Sequence, residues 1–215
     1  MVGAVKVFER RAKMVEGAAG RLARAVGELV ELAMRPVDVP LPPAADAEVG
    51  GVRVTLLPAE HGRRVLRVDA GGDRFAVTLS TPPRAAEIVA LAAILAADPR
   101  LRAAVEPAMR AAGLGELYDR AAGVVEELEA LLPRRALGKL AVNSRLFWWK
   151  PEEVLRVLPD GAGRWWWVGG GRVETLIDGE WSGLEEMGGA AGGIAEALEG
   201  FSRAMRRVVE GILGI

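Results

Sequence analysis

The 215 residues set 28 Lys and Arg against 29 Asp and Glu, and the resulting net charge of −1 excludes a uniformly basic, nucleic-acid-coating protein. Cysteine is absent, which excludes disulfides, thiolate metal sites and cysteine nucleophiles together. Hydrophobic residues at 51% and charged residues at 27% describe an ordered globular chain, long enough for one sizeable domain with an appendage or for two small ones.

No apolar run is long enough to cross a bilayer and no leader pattern is seen, so no membrane and a cytoplasmic location are expected. The chain has no glutamine and one asparagine, Asn143. Scarcity of thermolabile amides and cysteine points to a thermophile.

Residues 4–35 read as one long helix stopped by Pro36. Phe8, Ala12, Val15, Ala19, Leu22, Val26, Leu29 and Ala33 alternate in steps of four and three, the spacing of a packed helix seam. "RPVDVPLPPAADAEVGG" over 35–51 reads as a proline-rich connector. An antiparallel meander is predicted next, with strands at 52–57, 64–68 and 74–79 separated by "PAEHG" and "AGGD".

"TPPRAAEIVALAAILAAD" predicts a helix with Thr81 at the N-cap and Ile88, Leu91, Ala92 and Leu95 on its buried side. Asp98-Pro99 should break it, ahead of helices over 99–112 and 115–131. A helical patch is expected through "RRALGKLAV", and another beginning at Pro151 in "PEEVLRVL". "RWWWVGGGRVETLI" predicts a β-hairpin, 164–168 with 172–177, in which Trp166 opposes Trp165 and Trp167.

From Leu184 onward, Met187, Ala191, Ile194, Leu198, Phe201, Met205, Val208, Ile212 and Ile215 step by three and four. Such a seam must be covered by the first helix or by another subunit, and a homo-oligomer through this leucine-zipper-like helix is the favoured expectation.

The usual catalytic constellations are missing. His61 is the sole histidine, so no site needing two histidines can form, and a Ser-His-Asp triad has little to build on. "ALGKLA" lacks the earlier glycine and the Ser/Thr of a phosphate-binding loop. Glu126-Glu127, Glu152-Glu153 and Glu185-Glu186 fall where solvated helix faces are expected. No enzyme activity, metal or cofactor is predicted.

The aromatic-basic region is different. Between Glu129 and Glu152 there is no acidic residue, while Arg134, Arg135, Lys139, Arg145 and Lys150 are all cationic and Phe147, Trp148 and Trp149 lie beside them. Arg164 and Arg172 bracket Trp165, Trp166 and Trp167. Cations that follow phosphates and aromatic faces that stack bases are what a single nucleic-acid strand needs. The competing reading makes these aromatics core, or anchors for a protein partner. A winged-helix arrangement, "PRRALGKLAVNSRLFWWKPEEVLRVL" plus the hairpin, has the right order of elements, but its recognition helix "PEEVLRVLPD" carries more acid than base.

Strands 52–79 and 164–177, the segments 145–150 and 164–172, and the tail 184–215 together make the layout resemble the ThermoDBP family of archaeal single-stranded DNA-binding proteins and their relatives. The resemblance implies an α+β fold with an antiparallel sheet of about four to five strands flanked by helices. It further implies sequence-tolerant binding of single-stranded DNA, with RNA as the other candidate, in an aromatic and basic cleft, and oligomers joined by the terminal helix. Residues 1–180 would form the binding domain, with the 36–51 connector inside it, and 181–215 the oligomerisation helix. Two alternatives stay open: a coiled-coil assembly or adaptor protein, and a winged-helix DNA-binding regulator.

Overall fold

A computed structural model describes residues 17, 20–131, 156–159, 165–169, 172–177, 180–183 and 191–215. The fold is α+β. Among the described residues there are two antiparallel four-stranded meanders in place of one sheet, and the chain divides into two compact units, Met1–Glu31 with Arg145–Arg206 and Leu32–Ser144 with Arg207–Ile215.

The second of these units begins within helix α1, residues 20–33, and holds strands β1 (Ala45–Val49), β2 (Val52–Leu56), β3 (Arg63–Ala70) and β4 (Asp73–Ser80). β2, β3 and β4 match the expected meander, because alternation in "VRVTL" and "RFAVTLS" sorts apolar from polar residues. Val52, Val54, Leu56, Leu66, Val68, Val77 and Leu79 are buried on one face, while Arg53, Arg67 and Arg74 of the other are exposed. β1 corrects the sequence reading, which left these residues in the connector. "ADAEV" alternates Asp46 and Glu48 against small alanines, too weak a pattern to stand out, yet it pairs with β2 along its whole length. Val49 pairs with Val52, and the intervening Gly50 and Gly51 sit at φ of 60° and 79°, the left-handed values a two-residue hairpin demands.

Helices α2 (Ala85–Ala97) and α3 (Pro99–Ala111) lie on the sheet, α3 over β1–β3 and α2 over β4. Helices α4 (Gly115–Ala122) and α5 (Val125–Leu131) pack on α2 from beyond. α2 is thus enclosed on both sides. Ile88, Leu91, Ala92 and Leu95 are buried as expected, but so are Val89, Ala90, Ala93 and Ala96, which makes it a central helix in place of a one-sided one. Asp98 breaks α2 from α3 as expected, and its Oδ1 accepts from the N–H groups of Arg100 (2.8 Å) and Leu101 (3.3 Å). The predicted helix over 115–131 is interrupted at Gly123 and Val124.

Thr81 is not the N-cap of α2. The helix starts at Ala85 with Arg84 as cap, because the chain before it is held extended: Val37 N–H donates to Pro83 O (2.8 Å) and Ala85 N–H to Arg35 O (3.0 Å). The Glu87 carboxylate closes the start by accepting from Arg84 N–H (2.9 Å), Ser80 N–H (2.7 Å) and the Ser80 hydroxyl (2.6 Å).

The other unit contains strands β5 (Arg156–Pro159), β6 (Trp165–Gly169), β7 (Arg172–Ile177) and β8 (Glu180–Gly183), in that order across the sheet. The hairpin β6–β7 agrees with its prediction. β5 does not: the helix expected from "PEEVLRVL" is a strand over 156–159, where pairing to β6 and the proline at 159 prevail over the helical spacing.

The last helix, α6 (Ala191–Leu213), passes from this unit into the second one after Arg206. Met205, Val208, Val209 and Ile212 are buried within a single chain, as are Leu22, Val26, Leu29 and Ala33 of α1. Arg21 reaches Glu199 and Arg206 reaches Glu28, so the two helices lie side by side. The described end of the seam is therefore covered without a second copy. Leu184 and Met187 lie outside the described residues, and Ile215 is exposed.

Candidate nucleic-acid interface

Of the residues expected to touch nucleic acid, Arg134, Arg135, Lys139, Arg145, Phe147, Trp148, Trp149, Lys150 and Arg164 lie outside the described residues. Trp165, Trp166 and Trp167 are successive residues of β6, and Arg172 opens β7. β6 is an inner strand, paired to β5 on one side and β7 on the other. Aromatic residues suit such a position because pairing on both edges leaves the two faces as the only outlets for bulky groups.

The register assembles a set of residues that chain order keeps apart. Trp165 pairs with Leu176, which pairs in turn with Trp181 of β8, giving a row Trp165–Leu176–Trp181 across three strands. The next row is Trp166–Thr175–Ser182, and the one after it Trp167–Glu174–Gly183. Residues of one row share a face, and neighbouring rows alternate. Trp165, Trp167 and Trp181 therefore belong to one face and Trp166 to the other.

β5 extends the rows with a local irregularity. Pro159 pairs with Trp165 and Leu158 with Trp166, but Trp167 pairs with Arg156, leaving Val157 as an extra residue. The bulge shifts the alternation by one and brings Arg156 to the face of Trp167. Arg172, in register with Gly169, belongs to that face as well.

Two members of this set escaped the sequence reading. Trp181 stands alone in "DGEWSG", apart from both aromatic clusters, and Arg156 fell within a predicted helix. The β6–β7 hairpin was legible in the sequence, but the strands on either side of it, β5 and β8, were not.

In the other unit, the exposed face of the β1–β4 sheet is an ion-paired surface. Arg53 holds Asp46 through two hydrogen bonds of 2.9 and 2.5 Å, and Thr55 Oγ1 donates to the same carboxylate at 3.3 Å. The Arg53 hydrogen bond, with Arg53's charge and the Thr55 hydroxyl, holds the Asp46 carboxyl below its ordinary value against a smaller opposing effect of desolvation. Arg74 pairs with Asp69 on the same face. His61 stands in the loop before β3 at φ 51°, exposed. Among the described residues no three His, Asp or Glu side chains gather where they could hold a metal ion, and no helix is long and apolar enough to cross a membrane.

No protein-family model matches this chain, and neither a curated protein nor a solved structure does so.

Proposed function

We propose that this chain binds single-stranded nucleic acid without sequence selectivity, with DNA the first candidate and RNA the second. The observation that carries the reading is the concentration of four of the chain's six tryptophans in the small sheet β5–β8, three on β6 and one on β8. A sheet that presents aromatic residues at strand spacing can stack successive bases, each worth about 1–3 kcal/mol, and every base has a face to offer. The cation-rich stretch from Arg134 to Lys150 would supply phosphate contacts, as would Arg164 and Arg172. The resemblance to the ThermoDBP family points the same way.

The rival readings have less behind them. A winged helix needs a recognition helix where β5 stands. An assembly protein, or an oligomer of the DNA-binding form, would have to draw on the seam ahead of Phe201, because Met205, Val208 and Ile212 are buried within one chain. Light scattering across a dilution series would report such an oligomer directly.

The test is a tryptophan-fluorescence titration with oligothymidine, run at low and high salt with duplex DNA as control. Saturating quenching that prefers the single strand is expected. Affinity should fall by about 0.7 log units per log unit of salt for each phosphate neutralised. Absence of quenching at micromolar protein and low salt would refute the proposal.

A further inference from the structure

The two faces of the β5–β8 sheet differ in chemistry. One carries Trp166 with Leu158, Val168, Val173 and Ile177, and toward β8 Thr175, Ser182 and Glu180, so it holds a carboxylate and no cation. The other carries Trp165, Trp167 and Trp181 with Leu176 and Pro159, and with Arg156, Arg172 and Glu174. We infer that this second face is the stacking platform, with Trp165, Trp167 and Trp181 receiving bases and Arg156 and Arg172 holding phosphates, while Trp166 serves the fold alone. The inference rests on the proposed single-strand binding and goes beyond it by assigning the face and the residues.

The occupant follows from spacing and charge. Trp165 and Trp167 are two residues apart, about 6.8 Å along the strand, and Trp165 and Trp181 are two strands apart, about 9.6 Å. Consecutive nucleotides of a stacked duplex strand rise only about 3.4 Å, so bases seated on neighbouring tryptophans must be parted from one another. A single strand can splay its bases in this way, whereas a duplex would have to melt first. Two arginines against the single carboxylate of Glu174 leave the face net positive, which suits a polyanion better than an acidic or neutral protein surface.

The Val157 bulge has a role in this arrangement. Without the extra residue Arg156 would stand in register with Val168, on the face of Trp166. With it, Arg156 stands in register with Trp167, at the edge of the platform opposite Trp181.

The experiment labels the full chain with 5-fluorotryptophan and follows its six ¹⁹F resonances as oligothymidine is added, with single Trp→Phe variants for assignment. The resonances of Trp165, Trp167 and Trp181 should shift with saturation while that of Trp166 stays in place. Trp165→Leu and Trp181→Leu should each weaken binding by about tenfold or more. Trp166→Phe should leave affinity within about twofold, and its circular dichroism spectrum reports whether the fold persists. Binding that moves Trp166, or that moves none of these four, overturns the face assignment and leaves single-strand binding standing. Absence of any binding by the unsubstituted chain overturns both.

Discussion

Arg206 Nη1 lies 3.0 Å from Glu28 Oε2, joining α6 to α1 across 178 residues of sequence. One heptad earlier on both helices, Arg21 Nε lies 3.4 Å from Glu199 Oε2, again 178 residues apart. Equal separations mean that the two helices run parallel and keep step from one pair to the next. The charges are also exchanged between them: the arginine is on α6 in the Arg206–Glu28 pair and on α1 in the Arg21–Glu199 pair. Sliding one helix by a full heptad would set like charges opposite each other, so the two pairs specify register.

That relationship predicts the outcome of a charge-swap cycle. Glu28→Arg and Arg206→Glu should each lower the melting temperature, and the double exchange should recover part of the loss. Both side chains are half exposed, so the coupling should be modest, about 0.2–1 kcal/mol, and should shrink in high salt. A double variant no better than the sum of the singles would show that the pair sets no register.

Ser202 offers a test on the buried side of the same helix. Its residue is 1% exposed and its hydroxyl has no hydrogen-bond partner. Ser202→Ala removes an unsatisfied group and improves helix propensity, so denaturant unfolding should show a gain of roughly 1 kcal/mol. A loss of similar size would mean that the hydroxyl is bonded in solution.

Glu87 ties the end of β4 to the start of α2 through three accepted hydrogen bonds. Glu87→Ala leaves the two half-buried Ser80 donors without their acceptor and should cost about 1–3 kcal/mol in chemical denaturation. Ser80→Ala removes only the hydroxyl donor and should cost less than half as much. Equal costs would place the weight on the side-chain pair and remove it from the cap.

The Asp46–Arg53 pair predicts a pH effect of defined sign. The folded carboxyl titrates below its ordinary 3.8, so its contribution to stability is present above that value and fades as pH falls through the lowered one. Carbon-detected NMR titration of the Asp46 carboxyl should therefore give a midpoint below 3.8 in the parent chain. In Arg53→Ala the midpoint should move back up toward that value. A midpoint indifferent to the substitution would exclude Arg53 as the cause.

The sequence by itself determined the elements whose signal lies within a short window. Alternation in 52–56 and 73–80, the glycines after β3 and β6, and Asp98-Pro99 between two helices each act on neighbours a few residues away. The opposition of Trp166 to Trp165 and Trp167 is of the same local kind, since it follows from the pleat of one strand. Only the tertiary structure decided what those elements meet. "ADAEV" and "RVLP" are strands because β2 and β6 supply partners, although neither segment has the composition to announce it. Trp181 and Arg156 join the face of Trp165 and Trp167 through pairing across strands and one bulged residue, none of which a local pattern encodes. The stripe on α6 stated that something must cover it. It could not say that α1 of the same chain lies alongside, because a hydrophobic seam is nondirectional and its cover is chosen by the fold as a whole.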